Sequence, residues 1–211
     1  MYVRKQDISL IHFQSTMNKI IAISGPSSTG KTTLFNRLQN KLLGVHFYPE
    51  FIRIYVKENN ISSDIFNDPV KLFDFQMHLC LYTEEKLKDI HETDHLCIVD
   101  RSPLDCIAYS LMAYSSLDDR SALNYKDVFH SHIRKMYDLM HLIDTNYMTR
   151  INETYFPEND GFRLKQYISK RALEIELFHL LEMHEKVILL PDSINEREQT
   201  IVNMINKKLT E

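Results

Sequence analysis

Gly25-Pro26-Ser27-Ser28-Thr29-Gly30-Lys31-Thr32, preceded by Lys19-Ile20-Ile21-Ala22-Ile23-Ser24, decides how this chain of 211 residues is read. The spacing is G-x-x-x-x-G-K-[ST]. The short apolar run before it, ending in glycine, reads as a strand buried on both faces. After it, Leu34, Phe35, Leu38 and Leu42 recur at helical spacing, and Gly44 follows as a helix stop. A strand, a glycine loop and a helix in this order form a phosphate cradle. Glycines let backbone N–H groups converge on phosphate oxygens, and the helix N-terminus adds partial positive charge. Gly25, Ser27, Ser28, Thr29, Gly30, Lys31, Thr32 and Thr33 are therefore the candidate nucleotide-binding residues. Lys31 is expected to reach the β- and γ-phosphates of ATP, and the Thr32 hydroxyl to ligate Mg²⁺.

Outward from this loop, short apolar strands alternate with helices. Val45–Tyr48 reads as a second strand closed by Pro49, and Leu96–Asp100 as a third. Asn67-Asp68-Pro69 opens a helix running to about Ile90, with proline in its first turn. Ser102-Pro103 opens another, with Ser102 as N-cap. Leu139–Ile143 gives a fourth strand, 163–185 a long helix, Val187–Leu190 a fifth strand and Ile194–Leu209 a last helix. This pattern predicts a three-layer α/β/α sandwich with a five-stranded, mainly parallel sheet. A polar stretch from Asp144 to Gly161, containing Pro157, breaks the regularity. It leads into Arg163, Lys165, Lys170 and Arg171, and reads as a helical lid over about residues 144–171. Residues 1–18 read as an extension, with Met17 a second plausible start, and 19–211 as one domain.

Composition narrows the class. With 44% hydrophobic and 26% charged residues, the chain has enough apolar content for a core without staples. Its formal net charge of −4 argues against binding duplex nucleic acid through phosphates. No run approaches the ~18 apolar residues needed to span a bilayer, and the patch Ile8–Phe13 is too short for a signal peptide. Cys80, Cys97 and Cys106 show no CxxC spacing and read as buried free thiols in a reducing, cytoplasmic compartment.

Other charged residues fall at the ligand side of such a sheet, beyond the carboxyl ends of its strands. Asp100 has the position of an acidic partner for Mg²⁺, or of a plain strand-end cap. Arg101 is open between a substrate contact and a surface ion pair. Glu50 is open between a base accepting an acceptor hydroxyl's proton and a helix N-terminal carboxylate favoured by the dipole. Arg163 and Arg171 lie two turns apart, and either stabilise γ-phosphate charge or form a solvated face. His91-Glu92-Thr93-Asp94-His95 matches the zinc-protease pattern H-E-x-x-H, but at a helix-to-strand junction and without a third ligand.

Taken together, GPSSTGKTTL (25–34), YPEFIRIYV (48–56), FQMHLCLYTEE (75–85), LCIVD (96–100) and DGFR (160–163) resemble the P-loop ATPase/kinase family that includes the nicotinamide riboside kinase domain of NadR. The resemblance implies phosphorylation of a ribosyl hydroxyl with ATP and Mg²⁺. It makes Lys31 and Thr32 nucleotide and metal groups, Asp100 the Walker-B-like acid, Glu50 and Arg53 substrate-side residues, and Arg163 a lid arginine. No H-x-G-H adenylyltransferase signature occurs, so only the kinase half of NadR is matched. Asp100-Arg101-Ser102 is closer to the Asp/Glu-Arg-Ser motif of deoxynucleoside kinases, where the Glu after the second strand is the base and the Arg orients the acceptor. Two other readings stand beside this one: a deoxynucleoside or nucleoside monophosphate kinase, and a regulatory ATPase or switch without a small-molecule acceptor. The absence of N-K-x-D and of a D-x-x-G switch disfavours a GTPase.

Overall fold

The computed structural model describes residues 20–24, 29–93, 95–102, 105–106, 109–110, 113–114, 116–124, 143–149 and 187–210. Gly25, Ser27, Ser28, Arg163, Arg171, the helix at 163–185 and the extension 1–18 lie outside the described residues.

Strands β1 (Ile20–Ser24), β2 (His46–Tyr48), β3 (Cys97–Asp100), β4 (Ile143–Thr149) and β5 (Val187–Leu190) lie in the order β2-β3-β1-β4-β5. Each adjacent pair is parallel. Helices α1 (Lys31–Lys41), α2 (Phe51–Glu58), α3 (Pro69–His91) and α4 (Ile194–Thr210) connect or flank them.

The pleat explains the layers. Successive side chains of a strand point to opposite faces, and the two faces of β1 and β3 feed two separate apolar clusters. Ile20, Ala22, Cys97 and Val99 pack with Phe51 of α2 and Phe75, Leu79, Leu87 and Ile90 of α3. Ile21, Ile23 and Ile98 pack with Leu34, Phe35 and Leu38 of α1 and Ile201, Val202 and Ile205 of α4. All five residues of β1 are buried, so its continuous apolar run is what a two-sided strand requires. Each such side chain contributes about 1.5–3 kcal/mol of transfer free energy. The three cysteines are buried and form no disulfide with one another.

Local signals hold at most element ends. Asp68 caps α3, its carboxylate accepting from the N–H groups of Val70 and Lys71 at 3.0 and 3.2 Å, with Pro69 in the first turn. Gly44, with φ +74°, supplies the left-handed residue after α1.

One expectation needs correction. The fourth strand starts at Ile143, the last residue of the apolar run, and continues to Thr149. Residues 144–149 therefore belong to the sheet and not to a lid. The segment carries β-branched or aromatic residues at alternate positions (Ile143, Thr145, Tyr147, Thr149), a strand pattern that a search for apolar runs passes over. At Ser102 the hydroxyl donates to Ser24 Oγ at 2.9 Å, and the Asp105 carboxylate reaches back to the Ser102 N–H at 3.0 Å.

Candidate functional site

Parallel register brings the site together. Ile23 pairs with Asp100 and Tyr48 with Val99, so the segments after β1, β2 and β3 all emerge at one edge. The first delivers Thr29–Thr33, the second Glu50, the third Asp100 and Arg101.

Gly30 is the N-cap of α1 with φ +84°, a left-handed conformation that favours glycine. Lys31 and Thr29 are each only 5% exposed. Thr32 Oγ1 donates to Asp100 Oδ2 at 3.2 Å, joining the start of α1 to the end of β3. The Asp100 carboxyl is pushed above its ordinary range, first by burial and then by the nearby Glu50; Arg101, Lys31 and the Thr32 hydroxyl act in the opposite sense.

Glu50 occupies the N-cap position of α2 but makes no side-chain cap. Its carboxylate instead accepts from Arg53 Nε at 2.9 Å and is ion-paired with Arg101. Glu50 thus stays at the helix N-terminus, where the dipole favours a carboxylate, without capping through its side chain, and the ion pair of Arg101 is part-buried, that side chain being 21% exposed. Arg101 has φ +81°, unusual for a non-glycine residue and a mark of local strain. Its backbone N–H donates to Ile23 O at 2.9 Å, and its Nη1 to Asp105 Oδ1 at 3.1 Å. Burial alone would lower the guanidinium's pKa, but the carboxylates of Asp105 and Glu50 outweigh it and raise the value, so Arg101 keeps its charge.

Asp105, 2% exposed, was not singled out from sequence. Besides Arg101 it accepts from Ser24 Oγ at 2.8 Å and the Ser102 N–H. Its signal was present: Ser102-x-x-Asp105 is a capping-box spacing, and the structure uses its backward half. Gln76 of α3 was also missed. It is 1% exposed, and its Oε1 has no hydrogen-bond partner among the described residues. A single amide in an amphipathic helix gives no sequence signal.

Two cavities meet here. One, of about 750 Å³, is lined by Thr29–Thr33 together with Asp192, Ser193 and Arg197. The second, of about 390 Å³, is mostly apolar, lined by Phe51, Phe66, Leu79 and Tyr109 with Gln76 among them. Glu50, Asp100 and Arg101 line both; Arg53, mostly exposed, lines the first only. The H-E-x-x-H match builds no helical metal face, because α3 ends at His91 and His95 is stacked on His46 at 4.1 Å.

A family model described as an AAA domain matches residues 20–197, which span every described residue of both cavities. The chain belongs to the AAA domain family. The resemblance to P-loop ATPases and kinases is borne out, and the P-loop kinase-like α/β fold with a parallel sheet is shared with solved structures. Deoxyadenosine kinase from M. mycoides with bound dATP is 18% identical with a TM-score of 0.64, over 88% of this chain and 98% of that one. NadR protein in complex with NR is 16% identical with a TM-score of 0.57, over 82% of this chain. The match spans 44% of the NadR chain, less than half its length. Thymidylate kinase from Ehrlichia chaffeensis is 14% identical with a TM-score of 0.56, over 90% of this chain and 99% of that one. No curated protein matches this AAA domain chain at the sequence level. Among the described residues, no helix is long and apolar enough to cross a membrane.

Proposed function

We propose that this AAA domain protein is an ATP-dependent kinase of the P-loop class, transferring the γ-phosphoryl group to the hydroxyl of a small nucleoside-like acceptor. The observation that carries the reading is that a polar cavity along Thr29–Thr33 and a largely apolar one beside α3 share Glu50, Asp100 and Arg101. A switch that only hydrolyses ATP has no need of a second cavity opening on the same carboxylates.

In this reading ATP lies along Thr29–Thr33 with Lys31 on its terminal phosphates, and the acceptor's base fills the second cavity. The Oε1 of Gln76, without a partner among the described residues, favours an acceptor carrying an N–H donor, such as a nucleobase or a carboxamide. Glu50 takes the proton of the acceptor hydroxyl as its oxygen bonds to the γ-phosphorus, and the bond from that phosphorus to the bridging oxygen breaks to release ADP. Arg101, held between Glu50 and Asp105, orients the acceptor. Arg53 adds a second guanidinium on the substrate side. The Thr32 hydroxyl and Asp100 carboxylate form a hard-oxygen pair, the donor chemistry that suits Mg²⁺. Bound there, Mg²⁺ supplies neutralisation of the phosphate charge. Arg163 and Arg171 are assigned to the γ-phosphate from a lid, whose start moves to after Thr149. Gly25, Ser27 and Ser28 complete the phosphate cradle, in a single cytoplasmic domain over 19–211 that binds neither duplex nucleic acid nor membrane.

Simultaneous occupancy tests the reading. Nucleosides titrated calorimetrically into protein saturated with a non-hydrolysable ATP analogue are expected to bind without displacing it. Mutual exclusion at one site, or no nucleoside binding at all, would favour the nucleotide-switch alternative.

A further inference from the structure

Arg197 lies in the first turn of α4, far along the chain from the glycine loop, yet it is only 3% exposed and reaches that loop. Its Nη1 donates to the carbonyl of Thr29 at 2.5 Å, and its Nε to the carbonyl of Pro191, just after β5, at 2.6 Å. The next residue, Glu198, pairs with Arg37 and Lys41 of α1 at 2.5 and 2.7 Å. The start of α4 thus grips both the loop and the helix that follows it.

The grip has a directional consequence. In a trans peptide the carbonyl of one residue and the N–H of the next point in opposite directions. Holding the Thr29 carbonyl toward Arg197 therefore turns the Gly30 N–H away from Arg197. A Cβ built on Gly30 would lie 3.6 Å from Arg197 Nη1, so the guanidinium packs against this peptide. A charged donor locks the carbonyl more firmly than a neutral one.

We propose that Arg197 is a positioning residue for the phosphate cradle: by fixing the Thr29–Gly30 peptide it presents the Gly30 N–H to the β-phosphate of the bound nucleotide. The proposal rests on the reading of the Thr29–Thr33 cavity as the donor site. A purely structural role would weaken all ligands of that cavity alike, whereas this role acts only on ligands that carry a β-phosphate.

ADP and AMP differ by that phosphate. Wild-type protein is expected to bind ADP at least about tenfold more tightly than AMP, and Arg197→Met to lower that preference by about tenfold. Arg197→Lys, which reaches one carbonyl and not both, keeps an intermediate preference. An unchanged ADP-to-AMP ratio in Arg197→Met overturns the proposal, even if both affinities fall together. A wild type with no preference for ADP overturns the donor-site reading itself, and is distinguished by appearing before any substitution is made. If the variants do not fold, the wild type still decides: the Gly30 amide resonance should move on addition of ADP and stay in place on addition of AMP. A Gly30 amide indifferent to ADP overturns the proposal.

Discussion

The carboxylate of Glu50, carried by the turn between β2 and α2, is ion-paired with the guanidinium of Arg101, the residue that follows β3. The pair sits where the two cavities join, and Arg101 is held on its other side by Asp105 at 3.1 Å. One arginine between two carboxylates is a fixed element, not a flexible surface charge, and in the proposed reading it is this residue that orients the acceptor.

If Glu50 takes the acceptor proton, Glu50→Gln keeps the shape and loses the base. Phosphoryl transfer should fall at least ~100-fold, with ATP affinity within a few fold of wild type. Parallel measurement of turnover and ATP dissociation constant separates the two effects. Loss of ATP binding would move Glu50 to the metal shell or the fold.

Lys31→Ala removes the cation expected on the terminal phosphates. Turnover should drop at least ~100-fold, about 3 kcal/mol of transition-state stabilisation. Steady-state kinetics within threefold of wild type would remove the loop from the mechanism.

Asp105→Ala leaves Arg101 with one carboxylate and strips an acceptor from Ser24 and the Ser102 N–H. Breaking so buried a cluster costs about 3 kcal/mol, roughly 6–12 °C in Tm. Thermal unfolding of the nucleotide-free protein checks this, and a Tm within 2 °C of wild type would mean the network is not stabilising.

Asp100 gives stability and activity opposite signs. Its folded-state pKa is raised above the ordinary 3.8, mainly by burial, so the folded protein disfavours the ionised form. Above the raised value the carboxylate costs stability; below the ordinary value it does not. Asp100→Asn should therefore leave the metal-free Tm at neutral pH equal or higher, while transfer falls at least ~100-fold. A Tm several degrees lower would contradict the assignment.

Glu198 behaves conversely. Hydrogen bonding from Lys41 and then Arg37, opposed by burial, holds its carboxyl below the ordinary 4.5. Its contribution is present above that value and lost as pH falls through the lowered one. Glu198→Gln should cost roughly 1 kcal/mol near pH 7, a few degrees of Tm. The difference should shrink as pH falls below the ordinary 4.5 and through the lowered value, and a difference independent of pH would point to packing instead.

What the sequence made legible was local. The G-x-x-x-x-G-K-T loop, the apolar run of β1 and the Asp68-Pro69 helix start each carry their signal within a few residues, and their elements lie where that signal puts them. Asp100 and Glu50 were placed by strand order alone, because in a parallel sheet every strand end faces the same edge. Three things escaped. The fourth strand was misplaced because it alternates β-branched and aromatic residues with Asp144, Asn146 and Met148. Gln76 was passed over because one amide on an amphipathic helix looks like its surface. Arg197 depends on the docking of α4 against the loop, a tertiary contact with no short-range trace.

The central claim is transfer from ATP to a small acceptor, and following the γ-phosphoryl group tests it most directly. Protein, γ-labelled ATP and Mg²⁺ would be incubated with nicotinamide riboside, ribo- and deoxyribonucleosides and nucleoside monophosphates, with Lys31→Ala as the blank. The account predicts label on one class of acceptor, abolished by Glu50→Gln. Label released only as free phosphate, at a rate no acceptor changes, would contradict it.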